Sequence, residues 1–393
     1  MIWVIGDIHG MFDPLRRILQ TTKEFSREYN EPIERIVFLG DYIDHGPCSK
    51  EVIDLIQDWP YDKVCLMGNH EDMALRFMKN DKLFLERNGN SWFINGYLDT
   101  YKSIFDGNKN YDIVQRIRQQ EIQSLRSIFH DNKQINSYKD VKLPIKYEKF
   151  ITKLRYSHQE ILTLDSGQLT FSFFHALPDP DYPIDEQKVS DYKSFNEFLL
   201  EKARINYAHE GSFFNFDYDL ARFYVPRIES SIVWQRLYQA NHDFKGQVLI
   251  HGHTPTLLYR GPSLLDQAAP YQNQFIKYDF NSNIPFLFSR YPQAEFLAPE
   301  LNSKLLPGRS ILTHHYITNQ ITGLEAINID TGAVYGGALT ALGLAPKFLK
   351  QGFMPFLSVP TCRAYQKSQA QLQALRFDKL GYQKAQPPNQ SPS

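Results

Sequence analysis

Cysteine is scarce: only Cys48, Cys65 and Cys362 occur in 393 residues. So sparse and odd a set builds no disulfide framework and fits a reducing compartment. Long apolar runs are missing too, and none approaches the about 18 residues that a membrane span needs. The first residues, MIWVIGDIHG, lack a basic leader and a small-residue cleavage site, so a cytoplasmic protein is expected. Neither charge is in excess, with Lys plus Arg at 43 and Asp plus Glu at 44. A nucleic-acid binder needs a basic surplus, and the aromatic residues are not interleaved with a Lys/Arg run, so no nucleic-acid partner is expected.

What is present is ordinary globular composition, 42% hydrophobic and 22% charged, which excludes wholesale disorder. At roughly 150 residues per domain the length allows two to three domains. Several short apolar runs each break into a polar turn. Ile2 to Ile5 runs into Gly6-Asp7, Arg35 to Leu39 into Gly40-Asp41, and Lys63 to Met67 into Gly68-Asn69-His70. Leu169 to Phe174 runs into His175, and Val248 to Ile250 into His251-Gly252-His253. Such runs read as strands buried on both faces, with their polar ends gathered at the C-terminal edge of a sheet.

Helices are expected after the first three runs. Asp13 reads as an N-cap with Pro14 at the first helical position, and Ser49 as the cap of a helix carrying Val52, Ile53 and Ile56. Met73, Phe77 and Met78 suit a third helix, so the first 80 residues read β-α-β-α-β-α. Residues 111–129 have helical periodicity. The basic end of the chain, after Arg363, reads as a disordered tail.

Asp7 and His9 follow the first run, Asp41 and Asp44 the second, Asn69 and His70 the third, His175 the fourth and His253 the fifth. Carboxylate oxygens and imidazole nitrogens at successive strand ends suit a pair of divalent ions such as Mn, Fe or Zn. One carboxylate can bridge two such ions about 3.5–4 Å apart and clamp a phosphoryl displacement. Asp330, in INIDTG, reads as an Asx-turn residue.

GDIHG (6–10), GDYIDHG (40–46), GNHE (68–71), SFFHA (172–176) and HGHTP (251–255) together resemble the phosphoprotein phosphatase family of calcineurin-like metallophosphoesterases. The bacterial branch is the nearest pattern, since LPDPDYPIDEQ (177–187), IVWQR (232–236) and INIDTGAVYGGALTAL (327–342) resemble its later motifs. The resemblance implies an α/β metallophosphoesterase fold, with two packed mixed β-sheets flanked by helices and interrupted by inserted segments. It implies one catalytic domain over residues 1–345, with insertions at about 188–231 and 256–326, and a C-terminal extension over 346–393.

Motif by motif, the resemblance implies that Asp7 and His9 hold a first metal, Asp41 bridges two, and Asn69, His175 and His253 complete the second. Mn²⁺ is the expected ion, with Fe or Zn as alternatives. A water bridging the two ions would be the nucleophile. His70 would protonate the leaving group, with Asp44 fixing its ring. Arg236 and His45 would bind phosphate, although the family carries arginine where this chain has His45. Histidine there would help phosphate most when protonated, within the ordinary assay range. The implied function is a phosphoprotein phosphatase acting on a phosphoprotein or phosphopeptide. The alternative is a symmetrical dinucleoside-polyphosphate hydrolase acting on a nucleotide, and a third reading is a phosphatase-like binding protein without turnover.

Overall fold

The computed structural model describes residues 1–79, 92, 95–105, 143–179, 182–209, 232–235, 246–255, 286–288, 304–305, 312–317, 326–351 and 353–361. Arg236, the periodic stretch 111–129 and the C-terminal tail lie outside the described residues. The first 80 residues alternate as expected. Strands β1 (Ile2–Ile5), β2 (Arg35–Phe38) and β3 (Asp62–Cys65) alternate with helices α1 (Phe12–Glu28), α2 (Ser49–Asp58) and α3 (Asn69–Met78). Two helix starts differ from expectation. α1 begins at Phe12, so Asp13 lies inside the first turn and accepts from Arg16 instead of capping. α2 begins at Ser49 itself, after Cys48, and the Ser49 hydroxyl turns instead to Thr100.

The remaining elements are α4 (Tyr97–Ile104), α5 (Ile145–Ile151), β4 (Ser157–Leu164), β5 (Gly167–Phe174), α6 (Tyr192–His209) and β6 (Val248–His251). After them come β7 (Phe286–Phe288), β8 (Lys304–Leu305), β9 (Leu312–Ile317), β10 (Ala326–Asn328), β11 (Ala338–Leu344), α7 (Pro346–Leu349) and β12 (Phe353–Pro360). They form two mixed sheets, ordered β3-β2-β1-β11-β12-β9-β8 and β4-β5-β6-β10-β7. In the first, β1, β2 and β3 are parallel while β11 runs antiparallel to β1. In the second, β5, β6 and β10 are parallel.

Strand periodicity explains why the sheets stack. Ile2, Val4, Val37, Leu39, Leu342 and Leu344 face Phe171, Phe173, Val248, Ile250, Ile327 and Ile329 in one dry layer. The alternate residues of the first sheet, Trp3, Ile5, Ile36 and Phe38, join a second core with Leu15, Ile18, Val52 and Ile53 of the helices. The result is a metallophosphoesterase fold, two mixed sheets with flanking helices. The segment expected to be an extension beyond residue 345 contributes β12, which is hydrogen-bonded to β11 and β9 inside the first sheet. His314 and His315 lie on β9 of that sheet. Among the described residues no helix is long and apolar enough to cross a membrane.

Candidate metal centre

The parallel strands of both sheets end on the same side. Asp7 follows β1, Asp41 follows β2, Asn69 opens α3 after β3, His175 follows β5 and His253 follows β6. Main-chain bonds tie these ends together: Ile8 and His9 N–H donate to the Asp41 carbonyl, and Gly252 N–H donates to that of His175. Six non-glycine residues among those described have positive φ, and five of them are His9, Asp41, Asp44, His45 and His253. Left-handed backbone is costly for such residues and persists where surroundings over-determine it. Gly252 shows how tight the packing is, because a Cβ there would collide with the Asp7 carboxylate.

The Asp41 carboxylate stands at the centre. Its Oδ2 lies 3.2 Å from His9 Nε2, and its Oδ1 lies 3.5 Å from His175 Nε2. Asn69 Oδ1 lies 2.9 Å from His175 Nε2 and 3.0 Å from His253 Nδ1. Asp7 accepts the His253 backbone N–H. Each of these three imidazoles uses its other nitrogen on a main-chain carbonyl: His9 Nδ1 on Ile43, His175 Nδ1 on Leu39 and His253 Nε2 on Trp234. A carbonyl only accepts, so in the neutral form of each ring the nitrogen turned toward Asp41 or Asn69 carries the lone pair, the tautomer a metal ligand needs.

Charge also points to cations. Burial, then Asp330 and Asp41, raises the Asp7 pKa well above the usual carboxylate range. Burial works against ionised Asp41, yet His175, His70 and His9 hold its pKa well below that range. Burial opposes a charged His9 as well, but the Asp41 carboxylate raises its pKa to about 9. Burial lowers His175 to about 4. The donors fall into overlapping groups, Asp7-His9-Asp41 and Asp41-His175-His253, each with ligand atoms within 4.8 Å of one another. Two mixed nitrogen and oxygen seats sharing one carboxylate fit a pair of divalent ions.

Beside them lies the His70–Asp44 pair, with Nδ1 2.7 Å from Oδ2. Two residues that no motif pointed to hold Asp44: Trp92 Nε1 donates to Oδ2 at 2.9 Å, and Thr100 Oγ1 donates to Oδ1 at 2.5 Å. Glu71 went unassigned although it sits inside GNHE. Its buried carboxylate accepts the N–H groups of Asp41, Tyr42, Ile43 and Gly68 at 2.8–3.2 Å. The signal was its capping-box spacing from Gly68.

His45 lies against this pair, 4.7 Å from the His70 ring. Its surroundings act against the expected titration in the assay range. Burial, with His70 and His9 alongside, pushes its pKa below the ordinary imidazole value and favours the neutral ring. Asp330 Oδ1 accepts the Gly332 N–H, the expected Asx-turn, while its charge also reaches Asp7. His251 is buried with Nδ1 on the Gly252 carbonyl and joins none of the candidate metal groups among the described residues.

Residues 1–257 match the family model described as calcineurin-like phosphoesterase. A serine/threonine-protein phosphatase 2 of Escherichia coli is 36% identical over 96 residues, 24% of this chain and 38% of that protein. A serine/threonine-protein phosphatase 1 of Salmonella typhimurium is 36% identical over 95 residues, 23% of this chain and 40% of that protein. A symmetrical bis(5'-nucleosyl)-tetraphosphatase of Legionella pneumophila is 29% identical over 120 residues, 30% of this chain and 38% of that protein. The chain therefore spans well under half the length of these curated relatives in the matched stretch. A solved metallophosphoesterase from Sphaerobacter thermophilus covers 98% of this chain and 94% of its own, at 12% identity and a TM-score of 0.32.

Proposed function

Because the chain belongs to the calcineurin-like phosphoesterase family, we propose that it is a two-metal phosphoprotein phosphatase. The observation that carries this reading is the Asp41 carboxylate, one oxygen toward His9 and the other toward His175. Asp7, His9 and Asp41 would hold one divalent ion, and Asp41, Asn69, His175 and His253 the other, with Mn²⁺ suited to the mixed donors. Bound there, two divalent ions supply Lewis acidity that neutralises phosphate and lowers the pKa of water.

The chain's own residues do the rest. His70 Nδ1 is committed to Asp44, so Nε2 is the nitrogen that delivers a proton to the leaving oxygen. Asp44 fixes the ring, held in turn by Trp92 and Thr100. Glu71 braces the 41–43 turn that presents Asp41. His45, neutral, offers the phosphate one uncharged N–H donor, and Arg236 would supply the charged fork. Cys48 and Cys65 are unbonded, which supports work in a reducing compartment such as the cytoplasm.

The higher identity to phosphatases named for serine and threonine, 36% against 29%, supports a protein substrate. The longer matched stretch of the symmetrical tetraphosphatase, 120 residues against 96, supports a second reading, cleavage of a dinucleoside polyphosphate. Turnover of a phosphoserine peptide and of diadenosine tetraphosphate by Mn²⁺-loaded protein separates them. The first reading expects kcat/KM at least tenfold higher on the peptide. The reverse ratio assigns the second, and no turnover of either refutes both.

A further inference from the structure

His9, His45 and His70 form a triangle beside the proposed centre. Their ring centroids are 4.9 Å apart for His9 and His45, 4.8 Å for His9 and His70, and 4.7 Å for His45 and His70. One nitrogen from each lies within 4.8 Å of the other two. Three imidazoles sharing one tetrahedral ion, at a metal–nitrogen distance of about 2.0–2.1 Å, place their rings about 5 Å apart. The triangle is braced from outside. Ile43 accepts from His9 Nδ1, and Asp44 fixes His70 through its Nδ1. Gly96, at a φ of 110°, brings its backbone so close to His45 that a Cβ would fall 2.9 Å from His45 N and Nδ1.

We propose that His9, His45 and His70 form an additional, all-nitrogen seat for a transition ion such as Zn²⁺ or Cu²⁺, and that filling it switches hydrolysis off. The inhibitory half of this proposal rests on the phosphatase reading; the seat itself does not. Donor chemistry separates the two neighbouring seats. Asp7, His9 and Asp41 give mainly oxygen and suit Mn²⁺, whereas three imidazoles suit Zn²⁺, Cu²⁺ and Ni²⁺. The seats cannot both be filled, because His9 Nδ1 is committed to Ile43 and Nε2 serves one ion at a time. An ion held by the triangle therefore removes a ligand from the catalytic pair. It also occupies His70 Nε2, the nitrogen that would protonate the leaving group.

The experiment uses the full chain, stripped of metal and given one equivalent of Cu²⁺, with electron paramagnetic resonance counting the bound nitrogens. The wild type is expected to show three, and His45→Arg and His45→Phe two or fewer, since neither replacement offers a lone pair at neutral pH. In parallel, Zn²⁺ is titrated into Mn²⁺-loaded protein, and half-inhibition is expected to need at least tenfold more Zn²⁺ in His45→Arg. An unchanged nitrogen count in both variants overturns the seat. So does half-inhibition within twofold of the wild type, which would place the zinc in the oxygen-rich seats. A three-nitrogen signal from protein that hydrolyses no phosphoester with Mn²⁺ leaves the seat standing and refutes the phosphatase reading. A mixed nitrogen and oxygen signal with full Mn²⁺-dependent turnover does the opposite.

Discussion

The indole N–H of Trp92 donates to Asp44 Oδ2 at 2.9 Å, the same oxygen that faces His70. Trp92→Phe keeps the packing and removes the donor. A hydrogen bond to a charged group contributes roughly 1.5–3 kcal/mol, so kcat on an alkyl phosphate should fall roughly 10- to 100-fold with KM within about twofold. Steady-state kinetics of the metal-replete variant checks this, and a change confined to KM would contradict a positioning role.

His70→Asn should lower kcat on an alkyl phosphate by roughly 10²–10⁴-fold, the range for a lost general acid. The loss should be smaller on p-nitrophenyl phosphate, whose leaving group is stable without a proton. Equal losses on the two substrates would remove His70 from that role.

Chelation should abolish hydrolysis, and Mn²⁺ should restore it. A metal takes only neutral imidazole, and the metal-free pKa of His9 is about 9. Ion uptake below that pH therefore expels a proton from His9, and apparent affinity should climb as pH rises toward 9. Calorimetric titrations of Mn²⁺ at pH 7, in buffers of different ionisation enthalpy, should report about one or more protons released per first ion. Zero release would contradict the assignment.

Burial, with His70 and His9 alongside, favours the neutral form of His45. KM for a phosphate ester should therefore run parallel with pH in the wild type and in His45→Arg between about pH 6 and 8. The arginine variant, with its permanent charge and fork, should bind more tightly throughout. A wild-type curve that steepens relative to the variant would show that His45 does titrate.

Glu71→Gln should cost roughly 2–4 kcal/mol of stability, because an amide NH₂ would face N–H groups that a carboxylate oxygen now accepts. Denaturant unfolding of the metal-free protein measures it.

The strand ends and the side chains they carry were legible chiefly because β1, β2 and β6 are buried, whereas β3 lies at the sheet edge and is only part-buried. Short apolar runs breaking at Asp7, Asp41, Asn69, His175 and His253 carry the pattern in the sequence itself. Trp92 and Thr100 were not legible. They reach Asp44 across 48 and 56 residues, and tertiary contact at that distance leaves no local period to read. The N-terminus of α1 was misplaced for the opposite reason. Asp-Pro satisfies a local rule, but Met11 N–H already bonds to the Ile8 carbonyl, and the helix is drawn in two residues earlier. His45 misled because its ordinary pKa belongs to an exposed ring, and only the fold crowds it between two other imidazoles.

The pairing of β1 with β11 has a consequence for biosynthesis. Ile2 to Ile5 are flanked on one side by β2, but their other edge pairs with residues 341–344. At roughly 5–20 residues per second on the ribosome, that edge waits about 20 seconds to a minute for its partner. Meanwhile a fully apolar strand has one open edge, the kind that recruits other chains. The loop carrying Asp7 is tied early to Asp41 through Ile8 and His9, but its bond from Gly6 N–H to the Thr340 carbonyl also forms only then. A chain cut at residue 257, where the family match ends, would hold every implied metal ligand and still leave that edge unpaired. Such a fragment should aggregate before it can bind its ions.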